Sequence, residues 1–178
     1  MDNLNPNLLK FFSEHFSTED VVIVAPLNWG IGHATRCIPL IQQLKSICKE
    51  VIIASDGTGL DVLIKEFPDL QHEELPSYNI RYYFKSIFLN ILLMIPSLLR
   101  AIWSEKKSAS ILVKKYKATI ILSDNRLGFK CQDVKNIYMT HQLSILHKNP
   151  VISYCGSRIH QWWIKNFDIC IIPDFIDD

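Results

Sequence analysis

The sequence predicts an α/β domain, a parallel sheet of about six strands with helices on both faces, on three observations. Short β-branched runs alternate with longer segments of helical period, which is the mark of βαβ units. The first run, "VVIVA", leaves through "PLNWGIGHATR" into a segment with an apolar stripe. No internal repeat or low-complexity linker interrupts the chain, and 178 residues suit one domain with its own core.

Taken in order, the start "MDNLNPNLLKFFSEHF" lacks the basic segment, apolar core and small-residue cleavage site of a signal peptide. Residues 1–20 read as an extension, either a short extra helix or a mobile tail, before a domain at 21–178. Strands are expected at 21–26, 51–55, weakly at 71–75, and at 118–123, 136–140 and 169–173. Helices are expected at 33–48, where Ile38, Ile41, Leu44, Ile47 and Cys48 share a stripe, and at 58–66, 84–95, 97–116 and 155–166. The split at 96 follows from Pro96, which divides the apolar stretch "SIFLNILLMIPSLLRAIW" into two packed helices. Asn90, Pro96 and Arg100 argue against a membrane span there, while a surface partly used to touch lipid stays open.

Composition narrows the partners. A hydrophobic share of 48% with 21% charged residues fits a globular chain, and a net charge of +1 gives no general pull on nucleic acid. The five cysteines, Cys37, Cys48, Cys131, Cys155 and Cys170, are odd in number and hold no C-x-x-C pair. They suggest neither a disulfide framework nor a zinc site, and a reducing cytosol is the simplest compartment. No metal is expected. The lysines of "RAIWSEKKSASILVKKYK" read as a solvated helix face, and of the adjacent Trp162 and Trp163 at least one must face the core or a partner.

The loop "NWGIGH" carries the chemistry. A strand that ends in it and yields to a helix puts backbone N–H groups and the positive end of a helix dipole at the carboxyl edge of the sheet, where open α/β sheets bind ligands. One reading gives Gly30 and Gly32 to a tight turn alone. A dinucleotide reading would use Asp56, after the second strand, for a ribose, but Thr35 stands where its third glycine is required. Neither accounts for His33. A helix start favours an uncharged imidazole, the form that accepts a proton, and such a base needs a group to orient it. Asp124, in "SDNR" at the end of the fourth long strand, arrives at the same edge. An Asx turn or helix cap is the plainer role for Asp124. Arg36, one turn into the helix, suits a phosphate or carboxylate unless it is only a surface arginine. His141 and Gln142, in "THQL", follow a strand to that edge as ligand contacts or strand-end hydrogen bonds.

The segment "APLNWGIGHATRCIPLIQQL" resembles the first glycine-rich loop of GT-B-fold glycosyltransferases, in particular the bacterial branch that adds N-acetylglucosamine to a lipid-linked muramyl-pentapeptide. Gly30, Gly32, His33 and Pro39 match, and Ile31 stands where that loop has a glycine. "ILSDNRLGF", "YMTHQLSI" and "DICIIPDF" are similar to segments of a family of bacterial glycosyltransferases with the same loop, over residues 21–176. The resemblance implies the Rossmann-like, amino-terminal, acceptor-binding half of an inverting enzyme. Its donor half would follow "PDFIDD" and is absent here, so the isolated chain is expected to be inactive. It further implies His33 and Asp124 as the catalytic pair, with Gly30, Ile31, Gly32, Arg36, Asn125, Arg126, His141 and Gln142 toward substrate. A nucleotide sugar is then a substrate rather than a cofactor. The compartment implied is the cytoplasm, with peripheral contact at the inner membrane face and a lipid-linked or membrane-associated acceptor. Two alternatives stay open: a non-catalytic nucleotide-binding module, and half of a sugar-nucleotide epimerase.

Overall fold

The computed structural model describes residues 6–77, 87–140 and 150–172. In chain order the elements are α1 (Pro6–His15), β1 (Val21–Pro26), α2 (Ile31–Ile47), β2 (Glu50–Ser55), α3 (Gly57–Glu66), β3 (Gln71–Glu74), α4 (Ile87–Tyr116), β4 (Ile120–Asp124), β5 (Lys135–Met139), α5 (Pro150–Ile164) and β6 (Ile169–Ile171). All six strands pair in parallel in the order β3-β2-β1-β4-β5-β6. The order reverses between β1 and β4, and such a switch point opens a crevice at the strands' carboxyl ends.

Alternation along the strands sorts the core into two layers. Val22, Val24, Val51, Ile53, Ile120 and Leu122 meet α2 and α3 on one face, whereas Ile23, Ile52, Ala54 and Ile121 meet Ala109, Leu112 and Val113 of α4 on the other. Tyr138 packs with Ile164 and Phe167 in a smaller cluster beside α5. Of the two readings of the start, the helix is the one observed. Phe12 and Phe16, within and just after α1, are buried in the first layer.

Three expectations change. Pro96 does not divide α4, which runs unbroken through it. A proline interior to a helix removes one backbone donor and strains one turn, a local cost of about 3 kcal/mol. The packed second half of α4 holds the helix regardless, and Pro96 lies where residues 96–100 are exposed. In α2 the buried stripe is Ala34, Cys37, Leu40, Ile41 and Leu44, with Ile38, Ile47 and Cys48 only half-buried at its margin. Strand β4 reaches Asp124 because that residue is in register with Pro26 of β1 and Met139 of β5.

The lysine-rich half of α4 is a solvated face, as its charge pattern suggested; Lys106, Lys107 and Lys114 are exposed there. Lys115, also exposed, pairs with Glu73 of β3 at 2.5 Å. Among the described residues no helix is long and apolar enough to cross a membrane.

Candidate functional site

The β1–α2 loop is fixed at three points. Leu27 donates its N–H to the carbonyl of Asp124 at 3.0 Å, tying the loop to β4. The Asn28 side-chain oxygen accepts from the Gly59 N–H and the Thr58 hydroxyl, both at 3.2 Å, tying it to the first turn of α3. Gly30, at φ 90° and ψ 166°, turns the chain into α2 through a conformation that is essentially open to glycine alone. Gly32 differs, because its φ is not positive and a methyl group there would meet nothing within 4 Å. Neither the turn nor packing requires that second glycine. Its absence of a side chain leaves the backbone at the helix start open to close approach.

One helical turn brings the chemistry together. His33 and Arg36, three apart, share the face of α2 that looks at the end of β4. Asp124 falls on that side because it is two residues on from Leu122 and four from Ile120, which point to the α2 layer. The Nδ1 of His33 lies 3.0 Å from Oδ2 of Asp124. Arg36 clamps the same carboxylate, with Nε donating to Oδ2 at 2.8 Å and Nη2 donating to Oδ1. Its Nη2 also lies 2.5 Å from Nδ1 of His33. The Asp124 side chain is wholly buried, and those of His33 and Arg36 are 12% and 10% exposed. The Cys37 thiol reaches Oδ2 at 3.8 Å, and burial, then the neighbouring Asp124 charge, hold it well above the usual thiol range.

The rest of "SDNR" turns the other way. Asn125 takes a left-handed backbone, φ 57°, donates its N–H to the Met139 carbonyl at 3.1 Å, and accepts from the Tyr138 hydroxyl at 3.3 Å. That bend sends Arg126 to the α4 side of the sheet, fully buried. There it pairs with Glu105 of α4 at 2.9 Å and with Asp56 after β2, and Nε donates to the Pro26 carbonyl at 3.0 Å. Glu105 Oε2 also accepts the Gly128 N–H at 3.0 Å.

Of the residues singled out in the sequence, His33, Arg36 and Asp124 therefore meet, with Gly30, exposed Ile31 and Gly32 beside them. Arg36 sets its fork on a carboxylate, that of Asp124 in its own chain. Arg126, expected toward substrate, is committed to the interior. His141 and Gln142 lie outside the described residues. Glu105 was missed, although it stands four and seven residues before the buried Ala109 and Leu112, a helical spacing that marks it as inward-facing. Among the described residues no group of three or more His, Cys, Asp or Glu side chains is arranged to hold a metal.

The fold defined by this sheet is similar to that of SsfS6, a glycosyltransferase of Streptomyces sp. SF2575, with a TM-score of 0.53 and 12% identity over 89% of this chain and 49% of that one. SsfS6 complexed with thymidine diphosphate gives 0.52 at 12% identity, over 89% and 48%. The UDP-GlcNAc 2-epimerase of Neisseria meningitidis, bound to UDP-GlcNAc, gives 0.54 at 12% identity, over 86% and 40%. This chain thus has the α/β, Rossmann-like architecture found in that glycosyltransferase and that epimerase alike, and it spans less than half the length of each of these structures. No protein-family model and no curated protein sequence matches it.

Proposed function

We propose that this chain is the acceptor-binding half of an inverting nucleotide-sugar glycosyltransferase, with residues 21–178 as its domain and residues 1–20 as an extension. The observation that carries the reading is the His33–Asp124 contact at the switch point, held by α2 and β4. His33 takes the proton of an acceptor hydroxyl through Nε2 while that oxygen attacks the anomeric carbon. The bond from that carbon to the diphosphate breaks, and the nucleoside diphosphate leaves. Asp124 orients the ring and steadies the imidazolium that forms. The open backbone at Gly30, Ile31 and Gly32 lies against the acceptor or the donor diphosphate. Asn125, His141 and Gln142 complete the acceptor side, and Arg36 acts through Asp124.

A donor-binding half, supplied by a second βα unit, completes the cleft. No metal takes part. The acceptor is lipid-linked or membrane-associated, and the protein works in the cytoplasm at the inner membrane face. Exposed Leu98, Leu99 and Trp103 on α4, next to Lys106 and Lys107, suit a peripheral contact with anionic lipid.

A plain nucleotide-binding module fits less well. Asp56, the acid in place for a ribose, is already held by Arg126. The test measures nucleoside diphosphate release from UDP- and TDP-sugars by a protein that joins this chain to a donor-binding half, with a lipid-linked or a soluble acceptor. Release that depends on acceptor, with the product anomer inverted, is expected. Acceptor-independent conversion of the nucleotide sugar to its 2-epimer would replace the transferase reading with the epimerase one. Sugar transfer by the 178-residue chain alone would overturn the assignment of the donor site to another domain.

A further inference from the structure

A buried carboxylate needs a countercharge, and Asp124 has two candidates within reach, His33 and Arg36. They have opposite consequences for the histidine. A carboxylate whose only partner is an imidazole draws that imidazole into its charged form, which has no lone pair left to accept a proton. An orienting aspartate with no other cation therefore favours the charged ring and narrows the pH range in which the base is free to act.

We propose that Arg36 is a positioning residue that supplies the countercharge of Asp124, so that His33 keeps its orienting acceptor while staying uncharged and able to take a proton. The fork of Nε and Nη2 on both carboxylate oxygens fixes the plane of Asp124, and Oδ2 is the oxygen turned to His33. Among the described residues the Cys37 thiol of α2 also reaches Asp124, and Tyr138 of β5, whose hydroxyl bonds Asn125, feels the Asp124 charge from further off. Burial, then the Asp124 charge, raises both, so neither carries charge near neutral pH. Arg36 is thus the cation that balances Asp124. This role rests on the reading of His33 as a base, but its test does not need sugar transfer.

The test follows the His33 ring signals by NMR against pH in the 178-residue chain, with the signals of the six histidines sorted by a His33→Gln spectrum. In Arg36→Gln, with Asp124 no longer balanced, the charged ring is expected to persist to a higher pH than in the wild type. Arg36→Lys, which keeps charge without the fork, is expected to move back toward wild type. Unchanged titration in Arg36→Gln overturns the proposal. If that variant does not fold, the double variant Arg36→Gln with Asp124→Asn decides: with both charges gone the His33 curve is expected to return toward wild type, and a curve as low as that of Asp124→Asn alone overturns the proposal equally. In a protein that joins this chain to a donor-binding half the acidic limb of kcat/KM should move to higher pH in Arg36→Gln. Failure of sugar transfer with these titrations intact would count against the transferase reading and leave Arg36 as assigned.

Discussion

Replacing Arg126 with Met separates an interior role from a substrate-binding one. The guanidinium is fully buried and is the cation shared by Asp56 and Glu105, which are themselves 3% and 1% exposed. Met matches the length of the stem but supplies no charge and no donor. Two carboxylates then lose their common cation inside the fold, and the Pro26 carbonyl loses a donor that it had at 3.0 Å. Breaking a buried pair by removing one partner costs about 3–5 kcal/mol. Domains have about 5–15 kcal/mol in all, so the loss is a large share, equivalent to about 6–20 °C in Tm at this size. Equilibrium urea unfolding of the 178-residue chain, read by tryptophan fluorescence, measures it. The triple variant Arg126→Met with Asp56→Asn and Glu105→Gln should recover most of the loss, because no unbalanced charge remains. A single variant that loses less than about 1 kcal/mol would refute this account of Arg126.

Gly128→Ala should lose about 1–3 kcal/mol in the same assay, because the added methyl would run into the backbone carbonyl of Ile102 in α4. A neutral result would mean that α4 and the loop yield freely there. Asp20 should contribute to the acid limb of stability: burial alone would raise its carboxyl, but hydrogen bonds from Thr119 and Ser17 bring it below the ordinary 3.8. A lowered folded value gives stability that is present above about pH 4 and lost as the pH falls through it, so Asp20→Asn should flatten that limb. Cys37, buried and raised as a thiol, should stay unlabelled by a thiol reagent at pH 8 until the chain unfolds. Rapid labelling of the folded protein at Cys37 would contradict the packing of α2 on β4.

The sheet was legible because its central strands are continuous β-branched runs buried on both faces, the pattern that parallel pairing demands. Edge strand β3, "QHEE", carries little of that signal, since only half of its surface needs to be apolar. The meeting of His33 with Asp124 was legible for a topological reason: both follow strands that end at one edge. The fates of the two arginines were not. Arg36 and Arg126 both stand near that edge in sequence, and which one meets which acid depends on a single left-handed residue, Asn125, that turns "SDNR" across the sheet. Pro96 misled for a different reason. Local strain predicts a break, yet packing of the distant half of α4 decides the helix.

The most direct test of the central claim is the steady-state kinetics of His33→Ala in a protein that joins this chain to a donor-binding half, at saturating acceptor and donor. A base acts on the transition state, so kcat should fall by about 10²–10⁴-fold with little change in KM. Asp124→Asn should give the same signature at smaller size. A wild-type kcat in His33→Ala, with only KM raised, would contradict the account and assign the histidine to binding or to the turn.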